Sequence, residues 1–123
     1  MKQIKTDKAP AAIGPYSQAK VAGNTVYCSG QIPINPKTGD IPEGVSAQAH
    51  LVFTNIKNLL DASGTSFDNV LKSSVFIKNM NDIAEINSIY AQYFTVPYPA
   101  RSCVEVARLP KDVLLEAEVI AEI

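Results

Sequence analysis

"VLLEAEVIAEI", residues 113–123, decides how the rest of the chain is read. Val113, Leu115, Ala117, Val119, Ala121 and Ile123 are apolar and of one parity, whereas Glu116, Glu118 and Glu122 share the other with Leu114 and Ile120. A period of two sends alternate side chains to opposite faces of a strand, so the first set packs into a core and Glu116 points away from it. The stretch just before, "PARSCVEVARLPKD" at 99–112, continues the alternation. There Val104 and Val106 are the apolar parity, which sets Arg101, Cys103 and Glu105 on the opposite side. Two strands, about 101–107 and 113–122, thus flank the turn "RLPKD", with Arg101 expected to join Glu116 on the face away from the core. Matching these faces across so short a turn calls for a bulge or a longer turn.

Working upstream, "VLKSSVFIK" (70–78) reads as a strand with Leu71, Val75 and Ile77 on one side. Between it and Arg101, Ile83, Ile86, Tyr90 and Tyr93 recur at helical spacing behind Asp82 and Glu85, a capping-box pattern, and Pro97 and Pro99 end that helix. An earlier helix runs from Val45 through Ala49, Val52, Phe53, Ile56, Leu59 and Leu60 and stops at Gly64. "AKVAGNTVYCSG" (19–30) fits two strands joined at Gly23-Asn24, and "QIPINPKTGDIPEG" (31–44) is a loop rich in proline and glycine. The predicted order is β-β-α-β-α-β-β, with room for a short strand at the N-terminus: an α+β fold with one mixed sheet. Crossovers of the usual hand put both helices on one face and leave the other bare. Leu114 and Ile120 beside arginine and glutamate suit a subunit interface, so a homo-oligomer with polar clefts is expected.

A chain of 123 residues supports one domain, here 1–123, and its 46% hydrophobic and 19% charged residues are ordinary globular values. No stretch approaches the ~20 apolar residues of a membrane-spanning helix, so no membrane partner is expected. "MKQIKTDKAP" lacks the apolar run of a secretory signal, and Cys28 and Cys103 stand far apart, against a disulfide scaffold; the expected location is the cytoplasm. A net charge of −1 with scattered basic residues argues against nucleic acid as the main partner.

The single histidine, His50, reads as a helix boundary residue rather than a triad base, and with two distant cysteines it forms no metal-site spacing. What remains for chemistry is Arg101, whose planar fork suits a small carboxylate, Glu116, able to orient or deprotonate water, and the hydroxyls of Ser29 and Tyr16 as donors. Each has a structural alternative: a salt bridge from Arg101 to Glu105 or Glu118, a solvated strand face for Glu116, a strand-end hydrogen bond for Ser29, a core edge for Tyr16.

"APAAIGPYSQA" (9–19), "SGQIP" (29–33), "NPKTG" (35–39), "VFIK" (75–78) and above all "PARSCVEVARLPKD" resemble, in order and over almost the whole chain, the RidA family, also called YjgF. The resemblance implies a homotrimer of chorismate-mutase-like fold with three clefts between subunits. It implies hydrolysis of 2-aminoacrylate and related enamines and imines (2-iminopropanoate, 2-iminobutanoate) to 2-keto acids and ammonia, without a cofactor. By the same resemblance Arg101 grips the substrate carboxylate with the backbone N–H of Cys103, and Glu116 positions the attacking water. Tyr16, Ser29 and Gly30 line the cleft, and Asn87 sits where relatives contact ligand. The segment "YFTVPYPARS" is shorter than in some relatives, which bears on substrate size. The competing expectation is a non-catalytic trimer that binds 2-keto acids; an RNA-acting protein fits the charge poorly.

Overall fold

The computed structural model describes residues 1–123. Its strands are β1 (Lys2–Ile4), β2 (Ala19–Ala22), β3 (Thr25–Cys28), β4 (Val70–Ile77), β5 (Ala100–Glu105) and β6 (Leu115–Glu122), with helices α1 (Val45–Ser63) and α2 (Ile83–Tyr93). They form one six-stranded sheet in the order β1-β2-β3-β6-β4-β5. Only β4 and β5 pair in parallel; the other neighbours are antiparallel, so the α+β fold with a mixed sheet is as expected. No helix is long and apolar enough to cross a membrane.

The expected stripe of α1 is buried in full from Ala49 to Leu60, and α2 adds Ile86, Ile89 and Tyr90. Beneath them lie Val75 and Ile77 of β4 and the alternate residues Leu115 to Ala121 of β6. Each large apolar side chain withdrawn from water in this layer contributes roughly 1.5–3 kcal/mol before entropy is counted. Ile123 escapes it, because it follows the last ladder residue and stays exposed.

α1 ends where Gly64 turns left-handed, with φ 82°; its N–H donates to Asp61 O at 3.1 Å and the Thr65 N–H donates to Leu60 O at 3.0 Å. A Cβ is strained in that conformation, so Gly64→Ala is expected to cost about 1 kcal/mol in urea unfolding, at unchanged slope.

Three local expectations are corrected. Leu71 is exposed and Val70 takes its buried place, because the register shifts between Val70 and Lys72 and inserts an extra residue. Asp82 makes no side-chain cap to α2; instead a 3₁₀ turn, Met80–Asp82, precedes the helix, and Asn79 accepts from the Asn81 N–H at 2.9 Å.

The third correction matters most. β5 and β6 are not neighbours: β6 lies between β3 and β4, and β5 is the outer strand beyond β4. Arg101 is registered with Ser73 and thereby with Val119, and Cys103 with Val75 and Ala117, so Arg101 and Cys103 lie on the helix-covered side. Glu116 is registered with Phe76 and thereby with Val104, on the bare side. Arg101 and Glu116 therefore occupy opposite faces of the sheet. Val104, 45% exposed, is the apolar residue that faces away from the helices.

Candidate active site

On the bare face, a cavity of about 490 Å³ brings Glu116 together with Ser29, Gly30 and Tyr16, and Glu118 joins them. Gln31 builds this corner. It forms an isolated antiparallel bridge with Ala117, its N–H donating to Ala117 O at 2.8 Å and its O accepting from the Ala117 N–H at 3.2 Å. Its buried side chain donates from Nε2 to Ser29 O at 3.0 Å and to Gly30 O at 3.4 Å, which holds the Ser29-Gly30 backbone against β6. Gln31 is not a candidate by residue type, since a glutamine beside a loop carries no pattern, and Glu118 enters the sequence reading only as a possible ion-pair partner of Arg101.

Gly30 has a specific reason to be glycine. A Cβ there would fall 2.2 Å from Glu116 Oε1 and 3.0 Å from its Cδ, and the residue's φ is not left-handed, so the carboxylate excludes the side chain rather than the backbone. Gly30→Ala is expected to leave unfolding nearly unchanged, because the Glu116 tip can swing aside, and to lower kcat about 10²-fold by displacing it. Turnover and thermal melting of the same sample check this.

Burial raises the Glu116 pKa above the ordinary glutamate value, and the nearby Glu118 charge raises it further. Ser29 is partly committed: its Oγ donates to Ser17 O at 2.6 Å. The hydroxyl proton is thus in use, and what Ser29 offers a ligand is an acceptor, not the donor expected from its residue type. Tyr16 is 52% exposed at the cavity rim. Pro110 and Lys111 of the turn 109–113 also line the cavity, and Lys111 and Asp112 there are consecutive non-glycine residues at φ 55° and 57°. Such a pair needs support, and Lys78 Nζ supplies it at 2.8 Å from Asp112 Oδ1, holding that carboxyl below its usual range.

The second group lies at the β5 edge on the helix side, around a cavity of about 380 Å³ lined by Asn87, Tyr90, Ala91, Tyr98, Pro99 and Arg101. Arg101 Nη1 donates to Asn87 Oδ1 at 2.8 Å, and the guanidinium carbon stands 4.8 Å from the Tyr90 ring centroid. The chain's ion pairs are Lys57–Asp61 and Lys78–Asp112, so the salt bridge from Arg101 to Glu105 or Glu118 does not form. Glu105 instead accepts from the Met80 N–H. Cys103 follows on the same face. Alternate residues of a parallel edge strand bond to their neighbour, and the Val106 N–H donates to Ile77 O, so the N–H of Cys103 points to the open edge. Burial raises the pKa of the Cys103 thiol, against the pull of Arg101, and burial pushes Cys28 up to about 12. Neither is a ready thiolate. His50 lines neither cavity; its Nδ1 is 2.8 Å from the Tyr93 hydroxyl.

The candidate residues thus fall into two groups, Glu116-Ser29-Gly30-Tyr16 and Arg101-Asn87-Cys103, which one chain keeps on opposite faces.

Known proteins are similar to this chain over nearly all of its length. The family described as Endoribonuclease L-PSP matches residues 6–123. The 2-iminobutanoate/2-iminopropanoate deaminase of Escherichia coli K12 is 51% identical over 123 residues, covering 98% of this chain and 96% of that protein. Among solved structures, RidA from the Antarctic bacterium Psychrobacter is 46% identical with a TM-score of 0.97 over all of both chains. Escherichia coli TdcF, crystallised with bound serine, is 49% identical with a TM-score of 0.96, covering 100% of this chain and 99% of that one. A match of this extent, on a chain whose arginine, glutamate and glycine are arranged as described, makes this protein a member of the RidA (YjgF) family.

Proposed function

We propose that residues 1–123 act as one RidA-like unit, a deaminase that hydrolyses 2-imino acids such as 2-iminobutanoate and 2-iminopropanoate to 2-keto acids and ammonia in the cytoplasm. It works as a homotrimer of chorismate-mutase-like fold with its sites between copies. The observation that carries this reading is a cation without a carboxylate and a carboxylate without a cation, on opposite faces of one sheet. Packing the β5 edge of one copy against the bare face of another unites them.

The chemistry follows from the groups assembled. Arg101 spends one donor on Asn87, leaving the rest of its fork for a substrate carboxylate, which the Cys103 N–H also reaches at the open edge. The serine bound to TdcF carries the same carboxylate beside a nitrogen. Ser29, as an acceptor, takes an N–H of the substrate and so faces its nitrogen rather than its carboxylate. Glu116 accepts a proton from water as its oxygen bonds to the imine carbon and the C=N π pair moves to nitrogen. The raised pKa then suits Glu116 to return that proton to nitrogen. Glu116 then takes the hydroxyl proton of the carbinolamine and passes it to the amino nitrogen as the C–N bond breaks and C=O forms, so the nitrogen departs as ammonia. An imine carbon is already electrophilic, so positioning and proton transfer suffice. The ribonuclease of the family description finds less support: the one histidine is bonded to Tyr93, outside both groups.

The test is hybrid complementation. 2-Iminobutanoate is generated by a dehydratase in the presence of semicarbazide, and trapped imine is followed with wild type, Arg101→Ala, Glu116→Ala, and the two variants coexpressed. Each variant alone is expected to be inactive. A random mixture leaves both native residues at about a quarter of the interfaces and regains that share of activity. An inactive mixture of properly assembled chains would overturn sites between copies. Binding of 2-keto acid without turnover by wild type would favour the non-catalytic trimer.

A further inference from the structure

Arg101 is an exposed side chain on an outer strand, and a free arginine there samples many rotamers. Here α2 restrains it from two positions on one helix face, residues 87 and 90, through Asn87 Oδ1 and the Tyr90 ring. The ring is itself immobilised. Phe94 stacks on it at 4.0 Å between centroids and 18° between planes, and Phe53 meets it edge-on at 85°. Its hydroxyl shares a 2.6 Å hydrogen bond with Ser73, which is 1% exposed. Ser73 is also the strand neighbour registered with Arg101. Adjacent residues of β4 and β5 are thus linked a second time, through a helix-borne ring that carries the guanidinium.

We propose that Tyr90, locked by Ser73, is a positioning residue for Arg101: its ring sets the height and direction of the carboxylate fork. The inference rests on the reading of Arg101 as that fork. A guanidinium seated over a ring keeps its N–H edges free for in-plane bonding, which is what a carboxylate needs. The hydroxyl distinguishes this ring from a merely apolar filler. Without it Ser73 is left buried and unpaired, and the ring loses its only polar anchor.

The experiment is a graded series at residue 90, read by KM and kcat in the semicarbazide competition, by calorimetric binding of 2-oxobutanoate, and by the NMR resonance of the Arg101 Nε–H. Tyr90→Phe is expected to raise KM about threefold and Tyr90→Leu about tenfold or more, with kcat within about twofold of wild type. The dissociation constant of 2-oxobutanoate should rise in parallel. The shielding that the ring imposes on the Nε–H is expected to disappear in Tyr90→Leu. In an Arg101→Ala background, Tyr90→Leu should weaken 2-oxobutanoate binding no further. Should Tyr90→Leu fail to fold, Tyr90→Phe and Ser73→Ala carry the test, each with a threefold rise expected. Unchanged KM in folded variants, or equal losses with and without Arg101, would overturn the proposal. Failure of the deaminase reading looks different: wild type that neither turns over nor binds 2-oxobutanoate. In that case the Nε–H decides alone, and an unshielded resonance in wild type overturns the positioning role.

Discussion

Glu116→Gln is expected to lower kcat by about 10²–10⁴-fold, the range set by loss of a general base that must take and return a proton. The amide keeps the size and place of the carboxylate beside Gly30, so the fold should be intact. Within one chain burial and Glu118 raise the Glu116 pKa, and on the proposed assembly the Arg101 of a neighbouring copy opposes them, so the acid limb of kcat/KM measures the balance of the two. Glu118→Gln removes one of those causes and moves that limb to lower pH. Stability runs the other way. A carboxyl whose folded pKa is raised contributes stability below its unfolded pKa and loses it as pH rises through the folded one. At neutral pH the charged Glu116 of the isolated chain therefore works against folding, and Glu116→Gln should melt higher than wild type at concentrations where the copies are dissociated. That advantage should fade as pH falls below the ordinary glutamate range. Melting curves at pH 7 and pH 4, beside a pH profile of turnover, check both halves; wild-type kcat in the variant would remove Glu116 from the mechanism.

Arg101→Lys is expected to reduce kcat/KM about 10²-fold or more despite conserving charge. A lysine cannot hold a carboxylate at two oxygens while donating to Asn87, and it lacks the plane that sits over Tyr90. Two lost charge-assisted hydrogen bonds, at about 1.5–3 kcal/mol each, account for a loss of this size. Arg101 is in no ion pair within the chain and is exposed on its outer strand, so circular dichroism should match wild type, and gel filtration checks that the assembly is kept. Retained activity would show that the carboxylate is held elsewhere.

Which residues share a face was legible from period two alone; which face was not. The buried row from Val113 to Ala121 and the stripe from Ala49 to Leu60 are local patterns, and both are found in the structure. Arg101 shares the side of Glu116 only if Val104 and Val106 mark the core side and the two strands flanking the short turn are neighbours. β5 instead joins β4 through α2, a long-range choice that parity does not encode. Val104 misled in the same way: an apolar residue ordinarily faces the helices, but this one lies on the bare side. Arg101, Glu116, Ser29 and Tyr16 are candidates by residue chemistry and Gly30, Asn87 and Cys103 by motif resemblance, whereas their division into two groups needs coordinates. Tyr90 was visible only as a helix-core residue, since its contact with Arg101 depends on the β4–β5 register. Leu71 was misplaced by a bulge, which leaves no mark in residue type.

The separation of Arg101 from Glu116 by the thickness of a sheet also has a consequence for dosage. On the proposed reading an isolated chain is fully folded and yet holds half a catalyst on each side. Specific activity then becomes a function of protein concentration, falling on dilution before any spectroscopic sign of unfolding. A chain carrying both Arg101→Ala and Glu116→Ala would act as a poison, disabling the neighbours on either side of it. Such a protein gains its chemistry by crowding, and a cell could tune it by expression level alone.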